Sequence, residues 1–332
     1  MKKTLITLLM VLLCAMLIVS CSSDPKDSAE TPSEPKATYT VTFKLNEGTG
    51  TGFDAQTVTE GEKATKPTTN PKANDKYKTF NFWSADGTTE FKFSDTPITA
   101  DIELKAVYKN YEVGDTGPAG GKIFYVATTE QTSSYVDSNG TTQTYGWKCL
   151  EAAPEDITVT NADGTTTSKV IFGYHLTMDG VGYNAQIITT ENSASDGSGA
   201  NAAIGQGKSN TKKLVQGIAN GAWSTNSTNA NPTTNYAAKL CDGYSYGGCD
   251  DWFLPSLKEL KELYSAYAAD KVGGTWHTRY SSSSTASDNE YYWSSSEYDA
   301  NSAWTVCFGN NGSIGGLYRN YNYAYVRPVR SF

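Results

Sequence analysis

A chain of 332 residues is long enough for two domains of ordinary size, and 35 acidic against 27 basic residues give it a formal net charge of −8. The acidic balance argues against a nucleic-acid partner, because binding to the phosphate backbone depends on neutralisation by lysine and arginine. Abundant threonine, serine, asparagine, glycine and tyrosine, with only 19% charged residues, favour an extracellular protein rich in β-structure.

The first twenty residues predict an export signal. Lys2 and Lys3 precede an apolar run from Leu5 to Val19 that is too short for a confident membrane-spanning helix. The run ends in LIVSC, which resembles the lipobox of bacterial lipoproteins. The resemblance implies that Cys21 is acylated and anchors the mature protein to a membrane through its acyl chains. An incidental cysteine in a plain signal peptide (residues 1–20) stays open as the alternative.

The residue after Cys21 bears on the location of the protein. Under the sorting rule of some Gram-negative bacteria, Ser22 in place of aspartate favours the outer membrane. We therefore predict a lipid-anchored protein of the cell envelope that is exposed on the surface. Residues 21–37 are rich in serine, proline and charge, and predict a flexible tether between the anchor and the folded part.

Residues 38–109 show the alternation of a β-rich module. Tyr39, Val41, Phe43 and Leu45 alternate with polar residues, which is typical of a half-buried strand. Further strands are predicted in QTVTEG, TFNFWSADG and ITADIELKAVY. Residues 39–108 resemble the Listeria-Bacteroides repeat, the internalin B-repeat type of bacterial surface proteins, although Phe82 replaces the glycine that usually precedes the tryptophan. The resemblance implies a small β-grasp-like module that serves as a spacer or interaction domain.

A second unit, residues 110–332, begins with a glycine-rich turn in GDTGPAGGKIFYV, which leads into a strand from Ile123. A polar excursion to Gly146, the strand WKCLEAAP and the segment TSKVIFGYHL follow. The stretch IGQGKSN invites a phosphate-loop interpretation, but Ala202 stands where that motif needs a glycine. We instead predict a helix that is capped by Ser209 or Asn210 and carries an apolar face of Leu214, Val215 and Ile218.

The segment from residue 236 onward carries the densest pattern. Ser256 and Glu259 predict a capping box, after Pro255 has ended a short strand at 251–254. Pro328 donates no hydrogen bond, so the last strand should lie at an edge or be bulged there. The remaining predictions are a helical turn at 236–241, apolar helix positions Leu257, Leu260, Leu263 and Tyr264, strands at 292–293, 304–308 and 313–318, and core positions Trp252, Trp293 and Trp304.

Several blocks in this unit carry a second resemblance: GDTGPAGGKIFYV, WKCLEAAPED, IGQGKSNTKKLV, AAKLCDGYSYGGCDDWFLPSLKELKELY, YYWSSSEYDANSAW and YVRPVRSF. Together they make residues 111–332 similar to the C-terminal domain of Legionella collagen-like adhesins. The resemblance implies an α+β scaffold of the C-type-lectin-like and sulfatase-modifying-factor-like kind, which binds a ligand or host surface, in the namesake adhesin a sulfated polysaccharide. Collagen-like repeats are missing from this sequence, so trimerisation is not carried over and the oligomeric state stays open.

Four cysteines remain after the signal and the anchor are set aside. An even number in an exported domain favours disulfides, and we predict Cys241 with Cys249, which leaves Cys149 with Cys307. Free buried thiols are the alternative. A zinc site is less favoured, because the sequence has no CxxC motif and only two histidines, His175 and His277.

The segment 317–325 is our candidate for ligand binding. It mixes tyrosine, asparagine and arginine, as recognition surfaces do, and all four arginines of the chain lie at 279 or beyond, which predicts a local cationic patch. The alternative is a tyrosine-rich sheet face covered by a loop. The candidate binding residues are Tyr318, Arg319, Asn320, Tyr321, Asn322, Tyr323 and Tyr325.

No motif predicts catalysis, because neither histidine has a matching serine or cysteine partner in sequence. We therefore expect no enzyme activity, no cofactor and no metal, with calcium at Asp242, Asp250 and Asp251 as a lesser alternative. The predicted partners are the membrane, through the lipid, and an extracellular glycan or host protein. The competing hypothesis is a structural envelope protein without a discrete ligand.

Overall fold

The computed structural model describes residues 34–160, 163–173, 198–219, 235–282, 289–299, 302–319 and 321–332. These residues are mostly β-structure with few helices, which agrees with the predicted α+β class. The predicted signal peptide, Cys21, most of the tether and His175 lie outside them. The first strands are β1 Thr38–Lys44, β2 Gly48–Thr49, β3 Gln56–Thr59, β4 Lys72–Ala73, β5 Lys78–Ser84 and β6 Ile102–Asn110.

Residues 38–109 form a mixed sheet in the order β3-β1-β6-β5, beside the small pair β2-β4. Strand β1 runs parallel to β6 and antiparallel to β3. The first and the last strand of this region are therefore neighbours at the centre of the sheet. The alternation predicted for β1 is confirmed, since Val41 and Phe43 are buried while Thr40 and Lys44 are exposed and Thr42 is half-buried. We call residues 38–109 the repeat module; all of its residues are described, and none lies in a helix.

Trp83 is the centre of the core of the repeat module. Its ring lies 4.9 Å from that of Phe43, 5.6 Å from that of Phe53 and 5.5 Å from that of Phe80, centroid to centroid. The side chain is 2% exposed, and Leu104 beside it is fully buried. Burial of this aromatic group contributes to the stability of the module.

The described part of residues 110–332 contains strands β7 Lys122–Val136, β8 Thr142–Ala152, β9 Val159–Thr160, β10 Thr166–Thr167, β11 Tyr291–Glu297, β12 Ser302–Cys307, β13 Ser313–Tyr318, β14 Ala324–Tyr325 and β15 Val329–Ser331. Their sheets have the orders β13-β12-β11-β14, β15-β8-β7 and β10-β9. Strand β15 pairs with β8, which lies nearly two hundred residues earlier in the sequence. The start and the end of this region therefore fold together. We call it the C-terminal module.

Two of our strand predictions need correction. The polar excursion before Gly146 is not a loop, because its residues continue β7 and β8 as one long antiparallel hairpin. The segment 251–254 is not a strand; it contributes one bridge, between Phe253 and Val329. At Pro328 the expected interruption is confirmed, since β14 ends at Tyr325 and β15 begins at Val329.

The helices are α1 Gly207–Ala219, α2 Ala237–Asp242 and α3 Leu257–Ala268, with a 3₁₀ turn at Ala200–Ala202. The capping box of α3 is confirmed: Ser256 Oγ accepts from the N–H of Glu259, and the Glu259 carboxylate accepts from the N–H of Ser256. The predicted apolar face of α3 is buried at Leu257, Leu260 and Leu263. Its core neighbours include Trp304 and Tyr292 of the larger sheet.

The predicted cap of α1 is wrong. The helix begins at Gly207, so Ser209 and Asn210 lie inside its first turn. The carboxylate of Glu259 on α3 accepts instead from the N–H groups of Gly205 at 2.7 Å and Gly207 at 3.4 Å. The buried face includes Leu214, while the side chain of Ile218 lies outside the described part of the chain.

The predicted disulfides are also wrong, because all four thiols are free. A disulfide needs the two Cα atoms within about 7 Å. Cys241 is part of the core around Trp293, Cys249 packs beside Trp252, and Cys149 packs with Tyr111 and Phe332. Cys307 lies on β12, opposite Tyr291. The four thiols are thus distributed over separate packing environments, and each acts as a small apolar side chain.

Candidate functional site

Three tyrosines at and after the end of β13 form a cluster that we call the tyrosine patch: Tyr318 and Tyr321, which are exposed, and Tyr323, which is half-buried. The ring centroids of Tyr318 and Tyr321 are 5.5 Å apart, and those of Tyr321 and Tyr323 are 4.9 Å apart. Tyr318 is 53% exposed and Tyr321 is 41% exposed, which is unusual for such large side chains. Asn322 between them is exposed as well. The patch is therefore an aromatic surface with hydroxyl and amide groups at its border.

The position of the patch follows from the way β13 ends. This strand is at the edge of its sheet and pairs with β12, with Tyr318 opposite Ser302. The chain then turns, and the N–H of Tyr321 donates to the carbonyl of Tyr318 at 3.2 Å. The turn returns Tyr321 to the side of Tyr318, so that residues three apart in sequence become ring neighbours. Ordinary strand alternation would not have placed these rings together.

Arg319 is not a surface recognition residue, and that prediction is wrong. Its side chain is 1% exposed, and Nη2 lies 2.6 Å from Oε1 of Glu297, which is itself fully buried. The same Nη2 donates to the carbonyl of Asp299 at 2.9 Å. These two contacts hold the end of β13 against β11. Because the charge of the guanidinium is paired inside the protein, it does not face solvent. Asn320 lies outside the described residues.

Tyr325 is also buried, with 7% exposure, so its predicted role in binding is wrong. Its ring stacks on His277 at 3.6 Å, with the two planes 6° apart. Its hydroxyl donates to Glu290 at 3.3 Å, and burial followed by the charge of Glu290 raises the pKa of Tyr325 to about 12. The ring therefore stays neutral and serves as a packing surface for the histidine.

His277 is half-buried beside two carboxylates. Its Nε2 lies 3.6 Å from Asp156 and its Nδ1 lies 3.7 Å from Glu290. Burial raises the pKa of Asp156, while Arg327 and Tyr292 favour its charged form. The described contacts of His277 are with two carboxylates, the ring of Tyr325 and the hydroxyl of Tyr292, which accepts from the His277 N–H at 3.0 Å, and this is the environment of a structural histidine that packs several segments together.

The other late arginines are structural as well, so the predicted cationic patch is absent from the described part of the C-terminal segment, apart from exposed Arg279. Arg327 pairs with Asp156 and lies 3.8 Å from the ring of Trp276. Arg330 pairs with Asp251 at 2.8 Å and with Glu151 at 3.1 Å. Asp251, considered above for calcium, is thus already paired with the side chain of Arg330, and Asp242 likewise pairs with that of Lys212.

Both glycine-rich stretches enclose carboxylates of the chain itself. In the first, the N–H groups of Ala119 and Gly121 donate to Glu151 at 3.1 and 2.8 Å. In the second, Gly205 and Gly207 donate to Glu259, as described above. Because these N–H groups are already satisfied by buried carboxylates, neither stretch offers the open cradle that a nucleotide phosphate needs.

Two family models match parts of this chain. Residues 210–330 match the Lcl C-terminal domain, and residues 39–107 match the Listeria-Bacteroides repeat domain, which confirms both suspected domains. A search of curated proteins found no match. The two domains indicate an adhesin-like, surface-exposed protein. Among the residues with described placement, no helix is long and apolar enough to span a bilayer.

Proposed function

We propose that this protein is a lipid-anchored, non-catalytic binding protein of the bacterial surface, and that the tyrosine patch contacts an extracellular glycan or a host protein. The observation that supports the proposal is the exposure of Tyr318 and Tyr321, whose rings pack in series with that of half-buried Tyr323, inside a segment that matches the Lcl C-terminal domain. Acylation of Cys21 would anchor the protein in the outer membrane, and residues 22–37 would form the tether to the folded part.

The chemistry of the patch fits a recognition surface. Tyrosine provides a large rigid contact area with little loss of conformational entropy on binding, and its hydroxyl adds a directional hydrogen bond. The flanking amide of Asn322 is exposed and adds both donors and an acceptor. Such a surface can stack against the apolar face of a sugar ring or pack against a protein side chain.

The scaffold that we propose for this role is C-type-lectin-like, with a β-grasp-like repeat module as spacer. In the C-terminal module, buried ion pairs and the α3 helix support the sheet whose edge strand carries the patch. A rigid scaffold below a loop-borne surface is the usual arrangement of binding proteins. The alternative, a structural envelope protein without a discrete ligand, has no specific contact in its favour.

The test is retention of the full mature protein on immobilised glycans and extracellular-matrix proteins. Replacement of Tyr318, Tyr321 and Tyr323 by alanine should abolish retention, because the aromatic contact area would be lost. Tyr280→Ala is the matched control, since Tyr280 is also an exposed tyrosine of this module at 38%. Unchanged retention of the triple variant, with intact thermal unfolding, would remove the patch from the function.

A further inference from the structure

A cleft of about 510 Å³ lies between the repeat module and the C-terminal module. One wall comes from residues 70–80 of the repeat module, and the other from residues 247–249 and the end of the chain at 330–332. Its volume is in the range of sites that hold a small ligand or a few residues of peptide. Neither module forms this space alone, so an occupant would contact both.

The modules on either side of the cleft are fixed by direct contacts. The hydroxyl of Tyr77 donates to Glu130 at 2.6 Å, and Nζ of Lys76 donates to the carbonyl of Gly146 at 2.9 Å. The N–H of Tyr111, at the start of the C-terminal module, donates to the carbonyl of Tyr77 at 3.2 Å, and the Tyr111 ring packs edge to face on Phe332 of its own module, with centroids 5.4 Å apart. The cleft is therefore a formed feature of the folded chain, and its walls are held in position before any ligand arrives.

The rim of the cleft is basic although the chain as a whole is acidic. Lys72, Lys76 and Lys78 line it, and Asp75 is the acid among its lining residues. Lys72 is exposed and makes no ion pair with any described residue, while Lys78 lies 3.8 Å from the exposed carboxylate of Glu47. Arg330 also lines the cleft, but its charge is paired with Asp251 and Glu151. The lysines therefore favour an anionic occupant.

The floor of the cleft is apolar. Phe80, Tyr111 and Phe332 line it, and the last two are only 8% and 9% exposed. Because Tyr111 and Phe332 stand at 81° to each other, they do not present one flat face on which a sugar ring could stack. A narrow apolar floor of this kind suits an inserted side chain better than a saccharide.

We propose that this inter-module cleft is a second binding site and that it takes a short acidic peptide segment of a partner protein. Apolar side chains of the segment pack on the aromatic floor, and its carboxylates pair with Lys72, Lys76 and Lys78 at the rim. The site is separate from the tyrosine patch and does not depend on the function proposed for that patch.

The experiment is a fluorescence-anisotropy titration of the full mature protein with a labelled peptide of alternating glutamate and leucine residues. Lys72→Glu should weaken binding roughly tenfold, because it replaces attraction by repulsion at the rim. Lys66→Glu is the matched control: it makes the same charge change at an exposed lysine of the same module that does not line the cleft. Affinity should also fall when salt is raised from about 50 mM to about 300 mM.

A second readout needs no substitution. Cys249 lines the cleft and is half-exposed, whereas Cys149, Cys241 and Cys307 are buried. The bound peptide should slow alkylation of Cys249 by iodoacetamide at mildly alkaline pH, while a peptide with lysine in place of glutamate should not. Burial raises the pKa of the Cys249 thiol, so alkaline conditions are needed for a measurable rate.

The proposal is overturned if the acidic peptide does not bind, if Lys66→Glu weakens binding as much as Lys72→Glu, or if alkylation of Cys249 is unaffected. Tighter, Lys72-dependent binding of a hyaluronan oligosaccharide would overturn the peptide as the occupant. Loss of retention through the tyrosine patch in the Lys72→Glu variant would show that the two sites are not separate. Failure of the tyrosine test alone leaves this proposal intact.

Discussion

The two modules place their charged groups differently. In the repeat module the ion pairs lie on the surface, as with Lys44 and Glu103, whose side chains are 57% and 46% exposed and 3.9 Å apart. In the C-terminal module Arg319, Arg327 and Arg330 are at most 8% exposed at the residue level, and each pairs with a carboxylate. Surface pairs contribute little to stability, whereas a buried pair is costly to break from one side.

This difference teaches that arginine content does not by itself indicate a recognition surface. The C-terminal module uses three of its four arginines to join segments that are distant in sequence, such as Glu151 on β8 with Arg330 on β15. The repeat module has no arginine and relies on the rings around Trp83. The module that presents the tyrosine patch is thus the one in which buried ion pairs join strands and loops.

The largest expected effect comes from Arg327→Met. The substitution leaves Asp156 buried without its cation and removes hydrogen bonds to the carbonyls of Ala153, Pro154 and Thr275. We expect the free energy of unfolding of the C-terminal module to fall by about 3–5 kcal/mol. Hydrogen exchange followed by mass spectrometry measures this separately for each module.

The control for that prediction is Lys44→Met, which removes one partner of an exposed pair in the repeat module. It should change stability by less than about 0.5 kcal/mol. A loss below about 1 kcal/mol for Arg327→Met, or an equal loss for both variants, would break the distinction between the modules.

The second prediction uses pH. Burial raises the pKa of Glu259 to about 7, despite the N–H groups of Ser256, Gly205 and Gly207 that favour its charged form. The folded chain therefore keeps a proton that the unfolded chain releases near its usual pKa of about 4.5. Stability of the C-terminal module should be greatest below that pH and should fall by roughly 3 kcal/mol between pH 4.5 and 7.

The repeat module should respond to pH with the opposite sign. Hydrogen bonds from the N–H groups of Thr89 and Thr88 lower the pKa of Asp86, so its contribution is present above the usual carboxyl pKa and is lost as the pH falls. Urea unfolding from pH 4.5 to 7, with Glu259→Gln and the less buried Glu262→Gln compared, tests the assignment of Glu259, because the contribution of Asp86 changes only below the usual carboxyl pKa. If the free energy of unfolding depends on pH in the same way in Glu259→Gln as in the unsubstituted protein, the assignment of Glu259 is contradicted.

The smallest effect is expected for Gly207→Ala. An added Cβ would lie 2.2 Å from Oε2 of Glu259 and 2.7 Å from the ring of Phe253, so the buried contact between α1 and α3 would have to shift. We expect a loss of about 1–3 kcal/mol in thermal or urea unfolding. Gly315→Ala on the edge strand β13 is the control, because an added Cβ there meets open space. Equal losses at both positions would contradict the packing argument.

Much of the fold could be predicted from short-range pattern. The alternation around Val41 predicted β1, and Ser256 with Glu259 predicted the start of α3, because strand faces and helix caps depend on residues a few positions apart. The same patterns placed Trp252, Trp293 and Trp304 in the core, where each is at most 2% exposed. That the four thiols are free could not be predicted, since the cysteine count says nothing about which thiols approach each other.

The same distinction between short-range sequence pattern and tertiary contacts applies to the candidate site. Composition marked residues 317–325 as rich in tyrosine and asparagine, and short motifs carried the resemblance to a lipobox and the two domain resemblances, because these are properties of contiguous sequence. Only the tertiary structure determined that Tyr318 and Tyr321 face solvent while Arg319 and Tyr325 are buried. The reason is that the turn after β13, the carboxylate of Glu297 and the ring of His277 decide those orientations, and these partners are distant in sequence or depend on a backbone reversal that alternation does not encode.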